Sequence, residues 1–470
     1  MGQNSAVARA PGVPGGGLEG FFRLREHGTD VRTEVLAGLT TFVVMSYIIA
    51  VNPAVLSAAG LDVRAVATST CLVAGLLSIA MGLYTNRAFA LAPGLGLNAI
   101  VAYSLVGTMG LTPAEAMGVV VAEGLLITVL VLLGIRKYVM DVVPAALSRA
   151  IAVGIGFFIL FIGLRNAGVI TFIPGQTGTV DGLLTLTPLN SWPIFVAMVG
   201  LLITIALVAR RFPAAILAGI VTATVIAFLV PGDVAQLPAE PLAGPDFSLI
   251  GHFNFGFFAK LGLLTAVLSI FSFMLSDFFD TMGTLIGVGS EAGYLNDKGE
   301  LVDAQRPLLV DSLGAVAGGL VSASSATTYI ESAAGVSAGG RTGLVSVVTG
   351  VLFLLALPFV SLVGAIPAVA TAPALIVVGV LMVGVLSEGA AGRPGTIDFR
   401  NLEDAVPVVL TMLIMPLTFS ITNGIGAGFV SYVLIKLVSG KGREVHPALY
   451  VIAAAFQIYF LRWALFNARF

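Results

Sequence analysis

Charge is what this sequence has least of: only 10% of its 470 residues are Asp, Glu, Lys or Arg, against 57% apolar, and the mean hydropathy is +1.03. That balance excludes a soluble domain and makes the lipid bilayer the chain's principal partner. The net charge is −2 and no basic stripe interleaves with aromatics, which excludes nucleic acid as a partner. The lone Cys71 lies in an apolar run, so an intrachain disulfide is excluded and the thiol reads as small core packing. His27, His252 and His446 fall at predicted ends or loops, and with no His-x-x-x-His or Cys cluster there is no metal reading. Residues 1–20 are rich in Gly and Pro and lack an apolar core segment, so they are expected to be a disordered tail rather than a cleaved signal. Ala6 stands where a myristoylation signal wants Ser or Thr.

What the chain has in abundance is apolar runs of spanning length. Bounded by charges, Gly and Pro, they fall at 33–57, 65–84, 88–108, 113–134, 143–164, 192–209, 213–230, 259–288, 308–323, 325–338, 341–363, 366–387, 402–421 and 423–439. That makes fourteen, with a further stretch at 446–466 that carries Gln457 and Arg462 and either lies along the interface or packs on the bundle. With a cytoplasmic amino terminus, one side collects Arg23, Arg25, Arg32, Arg87, Arg136, Lys137, Arg210, Arg211, Lys298, Arg306, Arg341, Arg393, Arg400, Lys441 and Arg443. The other keeps Arg64, Arg165 and Lys260, which is the positive-inside asymmetry of a cell-membrane protein.

The fifth span opens "VPAALSRAIAVGIGFFILFIGL" and the twelfth "IPAVATAPALIVVGVLMVGVL", each a Pro, then small residues, then bulky ones. Seven is odd, so the second copy enters from the other side, an inverted repeat whose sites would lie at broken helices near the midplane. Coincidence among low-complexity apolar segments is the alternative. The third span ("FALAPGLGLNA") and the tenth ("SSATTYIESAAG") are too short and too rich in Gly, Pro, Ser and Thr for full helices. Each is expected to be a short strand followed by a half-helix. Unpaired backbone at membrane depth costs several kcal/mol per group, so the two strands are expected to pair. Asn98 and Gly96 then sit in the first turns of one half-helix, with Tyr329 leading into the other and Glu331 near its start. Tight helix crossing would explain the glycines alone, but not Asn98 or Glu331.

In the eighth span, "FSFMLSDFFDTMGTLIGVG", Asp277, Asp280, Thr281, Thr284 and Val288 recur at helical spacing and form one stripe. Intramembrane carboxylates are functional candidates by default, the structural alternative being helix capping and a bond to a threonine. Several carboxylates around one dehydrated cavity cannot all be ionised cheaply, so Glu331, Asp277 and Asp280 are the candidates for exchanging a proton. Asp311 is a weaker candidate that would anchor the half-helices.

These motifs, "APGLGLNA", "SDFFDTMGTLIGVG" and "TTYIESAAG", with "GTDVRTEVLAGLTTFVVMSYIIAVNP" and "YLNDKGELVDAQRPLLVDSLGAVAGGL", resemble the nucleobase:cation symporter-2 superfamily, most closely its AzgA-like adenine/guanine/hypoxanthine permeases. The resemblance implies an all-α polytopic fold of fourteen segments in a 7+7 inverted repeat. It divides into a core domain (21–138 and 259–364) and a gate domain (139–258 and 365–445), followed by an apolar segment at 446–470. It implies a carrier and no enzyme, purine uptake with a proton as coupling ion and no cofactor, and assembly as a dimer. By position, Asp277 and Glu331 match the family's base-binding residues, Asn98 its asparagine on the third segment, and Asp280 its second aspartate on the eighth. Uracil-type relatives carry a histidine where Thr281 stands, so coupling here must rest on carboxylates. A purine edge offers donors and acceptors that carboxylates, Asn98 and backbone N–H groups can pair with. Tyr329 and Phe89 are expected to cover its ring faces, with Thr281 nearby and Gly96, Thr328 and Asp311 in support. A uracil, xanthine or anion carrier of the same fold, an intramembrane enzyme and a channel are the alternatives.

Overall fold

Helix starts in this chain are written into single polar residues. The Asp30 carboxylate accepts from Thr33 N at 2.8 Å and the Asp62 carboxylate from Ala65 N at 2.9 Å, each satisfying a donor that an open helix end would leave unpaired. Thr112 and Glu115 cap each other reciprocally at the start of the helix Pro113–Leu132. The computed structural model describes residues 17–134, 142–172, 184–241, 243–296, 300–386, 397 and 399–466. Residues 1–16 of the expected tail, the expected domain boundary at 138/139, Arg136, Lys137, Lys298, Arg393 and the Arg462 side chain lie outside them.

The chain is mostly helical. In order come α1 (Val31–Met45), α2 (Ile48–Leu56), α3 (Val63–Thr85), β1 (Leu91–Pro93), α4 (Leu95–Ala99, running on as a π-helix over Ile100–Thr108), α5 (Pro113–Leu132) and α6 (Ala145–Asn166). The hairpin β2 (Ile170–Phe172) and β3 (Leu184–Leu186) precedes α7 (Trp192–Ala209) and α8 (Ala215–Leu229). Then follow α9 (Leu263–Ala292), α10 (Gln305–Leu320), β4 (Ala326–Thr328), α11 (Ser332–Ser337), α12 (Gly343–Leu355), α13 (Ala368–Val383), α14 (Leu402–Thr418), α15 (Ile421–Val438) and α16 (Pro447–Phe466). Among the described residues, seven helices are long and apolar enough to cross a membrane. An eighth is formed if α12 and the 3-10 turn Leu357–Ala365, bent 64° from it, count as one. The chain is therefore a multi-pass membrane protein.

The packing has a pattern. α3 lies on α12 and α5 on α10, while α1 lies on α12 and α5 on α9. α7 lies on α8 and α14 on α15; α6 packs on α14 and α7 on α13; α8 packs on α13 and α6 on α15. α6 and α13 both open on a proline in extended conformation, Pro144 and Pro367, and pack against each other. They touch at Gly156 and Gly379, each the same distance past its proline. A Cβ on Gly379 would stand 2.6 Å from Gly156 O, and one on Gly156 would stand 2.9 Å from Gly379 O. Only glycine lets the two backbones meet.

The first span is one helix of 29 residues, Val31–Ala59, with a local break in its hydrogen bonding at Ser46–Tyr47 that divides it into α1 and α2. The eighth is preceded by a separate turn, Phe257–Leu261, that ends at Gly262 with φ 73°. The segment after residue 446 packs on the bundle rather than lying apart: Phe456 is wholly buried against Gly426 and edge-on to Phe429.

Candidate functional site

β1 and β4 cross in the interior as an antiparallel pair, with Leu91 opposite Thr328 and Pro93 opposite Ala326. All six residues are buried, so their backbone groups must be satisfied by protein. Tyr329 N donates to Ala90 O and Gly94 N to Ser325 O, both at 2.9 Å, extending the ribbon at each end. Ser78 takes Leu91 N, Ser332 takes Ala90 N, and the Tyr329 hydroxyl donates to Pro93 O at 2.5 Å. The side chain on one strand thus closes the end of the other.

Behind β4, Asp311 on α10 accepts three hydrogen bonds: from Thr328 N at 2.7 Å, Thr328 Oγ1 at 2.8 Å and Thr281 Oγ1 at 2.7 Å. Those three donors occupy the acceptor sites that burial would otherwise leave unpaired. Thr281 also meets Thr327 Oγ1 at 2.6 Å, which ties α9 to the ribbon.

In front of the ribbon lies a cleft of about 90 Å³ lined by Tyr47, Gly94, Leu95, Gly96, Asp280, Thr284, Thr328, Tyr329, Ile330 and Glu331, closed from the other side by Val378 and Met382 of α13. Glu331 precedes the short α11, and the Tyr47 hydroxyl donates to its Oε1 at 2.6 Å. Tyr47 lies at the junction of α1 and α2. Gly96 lies where α4 meets α6, and a Cβ on it would come within 2.6 Å of Ile155.

Of the residues singled out in the sequence, the structure brings Glu331, Asp280, Thr284, Tyr329, Thr328 and Gly96 to this cleft. It places the others one layer back. Asp277 is buried, with Ser325 donating to its Oδ2 at 2.7 Å, because residues three apart on a helix point about 60° apart and Asp280 takes the cleft-facing position. Thr281 and Asp311 serve the ribbon. Asn98 is wholly buried, and neither end of its amide is paired with any of the described residues. Phe89, expected against a ring face, instead packs edge-on to Tyr294, whose hydroxyl bridges Ala88 N and Arg341 O. Sequence reasoning missed Tyr47 and Glu123. Tyr47 gave no signal beyond one hydroxyl in an apolar run. Glu123 did, as a lone carboxylate in "VVVAEGLLITVL", and the rule applied to Asp277 would have found it.

A broken-helix crossing inside a multi-pass helical bundle, with buried carboxylates facing a cleft, is the arrangement of a membrane carrier. Residues 32–426 match the profile of the Permease family, Xan_ur_permease, and the chain belongs to that family. It is 40% identical to adenine permease AdeP of Escherichia coli (strain K12) over 94% of this chain and 95% of that one. It is 36% identical to guanine/hypoxanthine permease PbuO of Bacillus subtilis (strain 168), over 93% and 99%. Among solved structures, the transmembrane domain of a cyanobacterium bicarbonate transporter, BicA, superposes with a TM-score of 0.58 at 18% identity, covering 85% of this chain and 97% of that one. The chain is a permease and not an enzyme, and its relatives agree with the purine-permease resemblance in the motifs.

Proposed function

We propose that this permease imports a purine nucleobase, adenine, guanine or hypoxanthine, together with a proton, and that the cleft in front of the β1–β4 ribbon is where the base binds. The observation that carries the reading is the meeting of Glu331 and Asp280 at the crossing of the two broken segments, in a chain whose relatives are named as purine permeases. Glu331 and Asp280 accept from the ring N–H groups, Tyr47 orients Glu331, and Thr284 and Thr328 supply hydroxyls. Tyr329 covers one ring face. Asp277 and Asn98 act from the second layer. The acidic lining does not suit bicarbonate, the substrate named for the solved neighbour.

We read the architecture as fourteen segments in a 7+7 inverted repeat. Replacing each segment by the one seven further along turns the α3–α12 packing into α10–α5, α1–α12 into α9–α5, α7–α8 into α14–α15 and α6–α14 into α13–α7. The β1–β4 and α6–α13 pairs map onto themselves, as elements on a two-fold axis in the membrane plane must. Segments one to four and eight to eleven form the core domain, and the rest form the gate. Val378 and Met382 belong to the gate and face a site built by the core, so displacement of one against the other exposes the cleft to each side in turn. The amino terminus is cytoplasmic, the membrane is the cell membrane, and the gate segments form the surface of a homodimer.

The test is uptake of labelled adenine, guanine and hypoxanthine in cells lacking their own purine permeases, for wild type, Glu331→Gln, Asp280→Asn and Asp277→Asn at matched membrane levels. Saturable wild-type uptake that collapses in Glu331→Gln is expected. Unimpaired uptake in all three variants defeats the site assignment.

A further inference from the structure

Glu123, in the middle of α5, is wholly buried, and neither of its carboxyl oxygens receives a donor from the described residues. It lies within hydrogen-bonding reach of the Asp277 carboxyl on α9. Asp277 Oδ2 takes the Ser325 hydroxyl, and its Oδ1 is likewise buried without a donor. The charged groups acting on Glu123 are Asp277 and Asp311; those acting on Asp277 are Glu123, Asp311 and Asp280. All are acids. Two carboxylate anions in contact offer only acceptors, so this contact becomes a hydrogen bond only when a proton sits in it. Asp311 presents the contrast, with three donors on its carboxyl oxygens. Of the buried acids behind the ribbon, the Glu123–Asp277 pair is therefore the one short of donors.

We propose that Glu123 and Asp277 share one exchangeable proton and that this pair, one helical turn from Asp280 in the cleft, carries the coupling ion. The inference rests on the proton-coupled reading above. No covalent step is involved: a proton enters the pair from water on one side of the membrane and leaves to water on the other, moving with the base. Ser325 links the pair to the cleft, since its hydroxyl holds Asp277 while its carbonyl accepts from Gly94 N.

The test uses purified full-length protein in liposomes, with labelled hypoxanthine and adenine as probes and a pH-sensitive dye inside. Wild type is expected to accumulate base against its gradient under an inward proton gradient and to carry protons with it. Glu123→Gln, which keeps the shape and gives Asp277 a permanent donor, is expected to retain base counterflow while losing accumulation and the base-dependent dye signal. Accumulation and proton movement at wild-type levels in Glu123→Gln overturn the proposal. So does loss of counterflow in a folded variant, which would make Glu123 part of binding. Infrared spectroscopy of wild type covers a variant that does not fold: a protonated-carboxyl band that changes on base addition is required, and its absence at neutral pH overturns the proposal. Wild type with no counterflow of any purine would instead refute the substrate reading.

Discussion

Tyr47→Phe is the sharpest single perturbation of the site, because it removes one oxygen and leaves everything else in place. Tyr47 is 1% exposed, so its ring packing survives as Phe, and its hydroxyl is the side-chain donor to Glu331 Oε1 at 2.6 Å. A hydrogen bond to a charged group contributes about 1.5–3 kcal/mol, and the loss falls at the upper end when the partner stays buried without a replacement. If Glu331 holds the base, that energy is what fixes the carboxyl in its binding orientation. Affinity should then fall by roughly 10- to 150-fold, at about 1.4 kcal/mol for each factor of ten. The assay is concentration-dependent purine uptake, with membrane abundance measured in parallel. A raised KM with near-normal maximal rate is expected. A KM within twofold of wild type, in a variant as abundant as wild type, would refute the claim that Tyr47 positions a substrate ligand.

Other outcomes follow from the packing and caps. Gly379→Val should destabilise the α6–α13 crossing by at least the ~1–3 kcal/mol of ordinary overpacking, because its Cβ would meet Gly156 O at 2.6 Å and Leu160 N at 2.8 Å; thermal stability in detergent measures this. Thr328→Val removes the 2.8 Å hydroxyl bond to Asp311 but keeps the backbone one, so a loss of about 1–2 kcal/mol is expected, read in the same melt. In the loop at 243–251, hydrogen bonds from Ser248 hold the Asp246 carboxyl below its ordinary range against the opposing effect of burial, with a lesser contribution from Arg64. A depressed value stabilises the folded loop above the ordinary carboxylate range, and the effect is lost as pH falls through it. Amide exchange in this loop should accelerate, relative to its intrinsic rate, as pH drops below about 4, and Asp246→Asn should remove that acid dependence.

Much of the fold was legible because membranes constrain sequence so strongly. Hydropathy placed the long helices to within a few residues, and the need to pair backbone in hydrocarbon forced the conclusion that "FALAPGLG" and "SSATTYIE" form a ribbon. The Tyr47–Glu331 contact was illegible because the two residues lie 284 positions apart in the sequence. In the site, spacing identified the polar face of α9 but not its division of labour. Asp277 and Asp280 are both on that face, and only the position of β4 decides that one is held by Ser325 while the other lines the cleft. Phe89 misled because an aromatic just before a broken segment suits a ring wall as well as a packing anchor. Its partner, Tyr294, is remote in sequence.

The central claim is that a purine base crosses unchanged through the cleft at the ribbon. Its most direct measurement is counterflow of labelled adenine and hypoxanthine in liposomes holding only this protein, compared with Glu331→Gln. Saturable exchange of chemically intact base in wild type, abolished or weakened at least tenfold in the variant, is the predicted result. Equal exchange by both proteins, or none by the wild type, would contradict it.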